Sequence, residues 1–141
     1  RDPFYEDSLT LLGRAYYKSR RYRDALQILK RALTVNREDE IAWITMGLTQ
    51  FRLGDDRRGL ESIKGGLTLL AKVSSKDGYK GIEFWDITGS VRRTLRRAIV
   101  IAAKGVKEKK KIIRSGEILL ARIDEEERLG KEENLLEADR Q

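Results

Sequence analysis

EDSLTLLGRAYYKSRRYRDALQILKRALTVNRED (Glu6–Asp39) runs without a gap into EIAWITMGLTQFRLGDDRRGLESIKGGLTLLAKV (Glu40–Val73), and the second stretch rewrites the first at a step of 34 residues. Leu12-Gly13, Tyr17, Ala25, Leu29 and Ala32-Leu33 become Met46-Gly47, Phe51, Gly59, Ile63 and Gly66-Leu67. Self-similarity at this length marks a helical repeat, in which each unit hides its apolar face against the next. The repeat decides the fold class, and the rest of the chain is read outward from it.

Within the first copy, Leu9, Leu12, Ala15 and Tyr16 fall at helical spacing, Ser19-Arg20-Arg21 interrupts, and Tyr22, Ala25, Leu26, Leu29, Ala32 and Leu33 resume it. Asn36-Arg37-Glu38-Asp39 is a polar turn. The second copy predicts helices over Ile41–Leu53 and Arg57–Lys72 around Gly54-Asp55-Asp56. Gly13 and Ala32, then Gly47 and Gly66, are expected where two helices approach closely. Helices of roughly 14 residues are marginal alone, so pairs must stack on pairs.

The residues Leu12-Gly13, Tyr16, Tyr22, Ala25 and Ala32-Leu33, then Trp43, Gly47, Gly54 and Gly66-Leu67, resemble the tetratricopeptide repeat. Two full copies (6–39 and 40–73) cover about half the chain. The resemblance implies an all-α fold, a short right-handed superhelical solenoid of antiparallel helix pairs. Gly59 and Gly66 depart from the pattern's alanines, which is expected to loosen that helix by ~1 kcal/mol each. Asp2-Pro3 is similar to the pattern's closing Asp-Pro, so residues 1–5 read as the tail of an earlier repeat; a helix N-cap followed by Pro is the plainer reading. Leu70-Ala71 replaces the second closing Asp-Pro, and the last helix is expected to run on.

Beyond Val73 the rhythm stops. Residues 74–89 read as a linker containing the aromatic stretch Ile82-Glu83-Phe84-Trp85, expected to pack on the preceding hairpin. Thr88 or Ser90 is the expected cap of a helix whose stripe is Val91, Leu95, Ala98, Ile99 and Ala102, ended by Gly105. A longer helix, Val106 to Arg128, carries Ile112, Ile113, Gly116, Leu119, Leu120 and Ile123. Together, residues 90–130 read as a divergent capping hairpin, broken at Gly130, with 131–141 a polar tail.

Composition narrows the function. The chain lacks histidine and cysteine, which removes the commonest general base, the commonest transition-metal ligand and thiol chemistry. No GxxxxGK[ST], GxGxxG or HExxH motif is present, and Glu125-Glu126-Glu127 would spread around a helix rather than converge on a metal. No catalytic residue, cofactor or metal site is expected. No apolar run approaches the ~20 residues of a membrane span, and the compartment is left open. The net charge of +7 favours acidic partners.

Two surfaces follow. The resemblance implies that ligands lie along the first helix of each pair, so Arg14, Tyr17, Lys18, Ile44, Leu48, Phe51 and Arg52 form the expected groove for a partner protein segment. Ile44, Leu48 and Phe51 are expected to offer an apolar stripe to that partner, and Leu48→Glu or Phe51→Glu to abolish capture with helicity intact. The second surface is the basic face of Arg92, Arg93, Arg96, Arg97, Lys104, Lys107, Lys110, Lys111 and Arg114. It suits nucleic acid or an acidic protein or lipid surface, although no aromatic residue is interleaved for base stacking. A solvated helix face is the plainer reading. The acidic run after Ile123 is able to answer it within the molecule or between copies, and open repeat ends are a second route to self-assembly. The expected role is a non-catalytic scaffold or adaptor, with nucleic-acid binding as the alternative.

Overall fold

The computed structural model describes residues 8–74 and 79–140. Among these residues the chain is all-α, with no strand beyond an isolated bridge between Tyr79 and Ile82. The helices are Ser8–Lys18 (α1), Tyr22–Val35 (α2), Glu40–Arg52 (α3), Asp56–Ser74 (α4), Ser90–Ala103 (α5) and Lys109–Arg140 (α6), with a 3-10 turn at Val106–Glu108 before α6. The Asp2-Pro3 reading lies outside the described residues. No described helix is long and apolar enough to cross a membrane.

Local chemistry sets the turns. Arg20 adopts a positive φ of 62° between α1 and α2, and Gly54 one of 85° between α3 and α4, the left-handed conformation that ends a helix most cheaply in glycine. Asp39 caps α3: its carboxylate accepts from the Ala42 N–H (3.0 Å) and from the Thr10 hydroxyl of α1 (2.6 Å). One side chain thereby starts a helix and ties it to the previous pair.

The 34-residue step reappears in the packing. A Cβ on Gly13 would fall 2.6 Å from the Leu29 side chain, and one on Gly47 2.8 Å from the backbone of Ile63, which is the same contact moved along by 34. In the second pair the glycines meet backbone as well as side chains. A Cβ on Gly66 would meet the Ile44 backbone nitrogen at 2.8 Å, and one on Gly59 the Phe51 ring at 2.9 Å. The helix-propensity loss expected of these glycines is therefore the condition for α3 and α4 to touch through their backbones. Residues 44, 47 and 51 of α3 meet 66, 63 and 59 of α4 in turn, so the pair is antiparallel.

Helix α3 is the centre of the molecule. It packs on α1, α2, α4 and α6, and eleven of its thirteen residues are buried. Helices α5 and α6 of the last third pack on each other. Helix α5 packs on α4, while α6 lies across α3, with Gly116 in contact distance of Leu48 and Ile63.

Three local expectations change. The cap of α5 is neither Thr88 nor Ser90 but the buried Asp86, whose carboxylate accepts from the Val91 N–H (2.8 Å) and the Arg92 N–H (3.1 Å). Ile99 is exposed, because Val91, Leu95, Ala98 and Ala102 alone complete the buried stripe. Gly130 does not break α6, which continues to Arg140. A Cβ there would collide with the Ile82 side chain and fall 3.2 Å from the Phe84 carbonyl, so this glycine makes room for the aromatic stretch. Ile82 is buried against α6, and just before the stretch the Tyr79 hydroxyl donates to Glu40 at the start of α3.

Candidate functional site

The expected groove residues do come together, but around the chain's own C-terminal helix. Arg14 of α1 donates both terminal nitrogens to Asp124 of α6, at 2.9 and 2.7 Å. Tyr17 donates its hydroxyl to Glu117 (2.8 Å), and Arg52 of α3 donates to the Tyr17 oxygen (3.2 Å) and to Glu117 (3.3 Å). Glu117 and Asp124 are seven residues apart, two turns, and so share one face of α6. Burial, with Glu117 adding to it, holds the Tyr17 hydroxyl well above the usual phenol range against the opposing pull of Arg52.

The apolar stripe is not offered to solvent. Ile44 and Leu48 are 0% exposed and Phe51 1%. Ile44 and Phe51 face the glycines of α4, and Leu48 faces Gly116 of α6. The physical reason is two-sided: the α4 glycines bring that helix onto Ile44 and Phe51, and Gly116 lets α6 settle on Leu48. A cavity of about 150 Å³ remains between α1, α3 and α6, bordered by Lys18, Thr45 and Leu120.

The basic face behaves differently. Some of its members are engaged: Arg92 pairs with Asp86 (3.1 Å), Arg93 donates to the Thr88 carbonyl (2.8 Å), and Lys111 lies 3.7 Å from Glu108. Among the described residues, no carboxylate lies within ion-pair distance of Arg96, Arg97, Lys104, Lys107, Lys110 or Arg114. Arg93, Arg97, Lys111 and Arg114, joined by Arg122, line a cleft of about 510 Å³ between α5 and α6. Ser90, Thr94 and Ser115 add hydroxyls, Ile101 and Ile118 give it an apolar floor, and no carboxylate lines it. Arg96 falls on the far side of α5, with Arg92 in a second hollow against α4.

Several residues escaped the sequence reading. Asp124 was legible only as a member of the acidic run after Ile123 and Glu117 not at all, since their partners lie 110 and 100 positions away on α1 and 65 away on α3. Arg122 and Ile118 carried a signal: with Lys111 and Arg114 they recur every three or four residues, which puts them on one helix face. Comparison with known proteins finds no matching family model, no similar curated protein and no similar solved structure.

Proposed function

We propose that the chain is a non-catalytic interaction module, built on two tetratricopeptide-type pairs in a short right-handed superhelix, that holds an acidic helical segment of a protein in the cleft between α5 and α6. The single observation that carries this reading is the cleft: Arg97 and Arg114, with no carboxylate in ion-pair distance, line it together with Arg122, Ile101 and Ile118. Arginines without carboxylates attract anions, and an apolar floor rewards a ligand that alternates carboxylates with aliphatic side chains. Nucleic acid supplies the charge but has no aliphatic groups for that floor, and the cleft has no aromatic platform for bases. The repeat reading is supported by the Gly13–Leu29 contact recurring at Gly47–Ile63. The face that the resemblance assigns to ligands is taken by α6, which is why the docking surface is sought elsewhere.

The test is fluorescence anisotropy with a labelled peptide carrying Glu and Leu at helical spacing, beside a labelled DNA duplex, at low and raised salt. The expected result is peptide binding that weakens less with salt than duplex binding does and falls about tenfold or more in Arg97→Glu/Arg114→Glu. Duplex binding tighter than peptide binding, lost steeply with salt, would put nucleic acid in the cleft instead. Peptide binding indifferent to the double variant would remove the cleft from the function.

A further inference from the structure

The exposed face of α6 has two halves of opposite sign. Lys111, Arg114, Ile118, Arg122, Glu125, Leu129, Glu132, Glu133 and Leu136 follow one another at spacings that hold a single helical face, and all are exposed. Up to Arg122 the stripe is cationic. From residue 90 to 122 the chain carries eleven basic residues and two acidic ones, and from 124 to 140 eight acidic and three basic. Ile118 is 45% exposed, Leu129 39% and Leu136 50%. The core takes other positions of the same helix: Ile112, Gly116, Leu119, Leu120, Ile123 and Gly130. Glu117 and Asp124 are used on α1 and α3. The ion pairs of the stripe stay local, Lys111 with Glu108 and Arg128 with Glu125 and Glu132.

We infer that two copies of the chain pair through α6, antiparallel, each laying its Glu125–Leu136 segment into the α5/α6 cleft of the other. This rests on the cleft being the docking surface and names its occupant. The argument is one of self-complementarity. A two-fold axis beside Ile123 and Asp124 sets Arg122 opposite Glu125, Ile118 opposite Leu129, Arg114 opposite Glu133, and Lys111 opposite Leu136, each contact made twice. The lengths agree as well, since residues 111–122 and 125–136 are both twelve long, about 17 Å of helix each. The α5 wall continues the match. Arg93, Thr94, Arg97 and Ile101 of α5 line the same cleft, so it offers the incoming carboxylates further cations and the incoming leucines a further apolar side chain. Arg128 already bridges Glu125 and Glu132 at 2.8 Å each, yet both carboxylates stay about half exposed, with room to accept from another guanidinium. A parallel pairing would oppose cation to cation and carboxylate to carboxylate along the whole stripe.

Sedimentation velocity across a range of concentrations tests this. The full chain is expected to form a dimer that weakens as salt rises. Arg114→Glu/Arg122→Glu and Glu125→Arg/Glu133→Arg are each expected to be monomeric alone and to form a one-to-one dimer when mixed, because both contacts are then complementary again. Circular dichroism of each variant checks that it is folded. The chain has no cysteine, so an oxidised mixture of Ile118→Cys and Leu129→Cys chains gives an independent readout: cross-linking between unlike chains supports the pairing, and between like chains overturns it. A full chain that stays monomeric, or a mixture that stays monomeric, sinks the inference. The labelled acidic peptide separates that failure from failure of the cleft. Peptide bound by a monomeric full chain and lost in Arg114→Glu/Arg122→Glu leaves the docking surface standing with another occupant; no peptide binding to a monomeric chain removes both.

Discussion

Helices α3 and α5 are almost equal in length, thirteen and fourteen residues, yet eleven residues of α3 are buried and only four of α5. Helix α3 touches four other helices and has no free side on which to bind anything. Helix α5 buries Val91, Leu95, Ala98 and Ala102 and turns four arginines outward. A helix buried all round serves the core, and one with a single apolar stripe keeps the remainder for solvent or a partner. The apolar residues of α3 that resemble a ligand groove are core for this reason, whereas α5 and the outer face of α6 are what the molecule presents.

The sharpest way to break that contrast is to put a charge on each helix. Leu48→Glu in α3 leaves an unpaired carboxylate against Gly116 and is expected to cost about 4 kcal/mol or more, enough to unfold the chain. Arg97→Glu in α5 is expected to change stability by less than about 0.5 kcal/mol. Urea denaturation followed by circular dichroism measures both. A folded Leu48→Glu chain of normal stability would mean that α6 does not sit on the stripe.

The glycines of α4 offer a second contrast. Gly59 and Gly66 face α3 at distances a Cβ would violate, and so does Gly47 from the other side, but Gly65 has nothing within 4 Å. Gly47→Ala is expected to lose about 2 kcal/mol by forcing the backbones apart. Gly65→Ala, one residue from a contact glycine, is expected to gain about 0.8 kcal/mol from helix propensity alone. Equal effects at the two sites, read from denaturation midpoints, would argue that the helices are not in backbone contact.

The hold of α6 on α1 is measurable by a double-mutant cycle. Arg14→Ala and Asp124→Ala are expected to couple by about 1 kcal/mol, a charge-assisted bidentate pair discounted because Asp124 is partly open to water. No coupling would mean that α6 is held by the Leu48–Gly116 packing and by Glu117 with Tyr17 and Arg52, without help from Asp124.

The smallest expected effect is a pH dependence at Glu126. Burial, then the nearby Asp86 and Glu125, raise its pKa in the folded state, so the native chain holds this proton more tightly than the unfolded chain. Stability from this group is present below the unfolded carboxylate range and is lost as pH rises through the raised value. Glu126→Gln is expected to flatten that decline, and parallel stability–pH curves for the two chains would remove the effect.

Much of the architecture was legible in order along the chain. The 34-step pattern, the breaks at Arg20 and Gly54, the start near Ser90 and the stop at Gly105 all follow from local chemistry: apolar spacing, positive-φ positions and capping residues act within a few residues of themselves. Gly130 misled because a helix-breaking glycine and a close-contact glycine look the same until the neighbour is known, and here the neighbour, Ile82, comes from 48 positions away. Asp86 was passed over as a cap for a related reason, since it reaches α5 from four residues before its first turn.

What the amino-acid order determined by itself is that these helices form, which stripe of each is apolar, and that the chain's charge divides between a basic stretch and an acidic one. What only the tertiary structure decided is who covers whom. Nothing local in Ile44, Leu48 or Phe51 distinguishes a groove from a core, because hydrophobic burial has no direction and accepts any apolar surface that reaches it. Helix α4 covers Ile44 and Phe51, and α6, held by Arg14 and Arg52, covers Leu48, which turns the remaining face of α6, with its cations at one end and carboxylates at the other, outward.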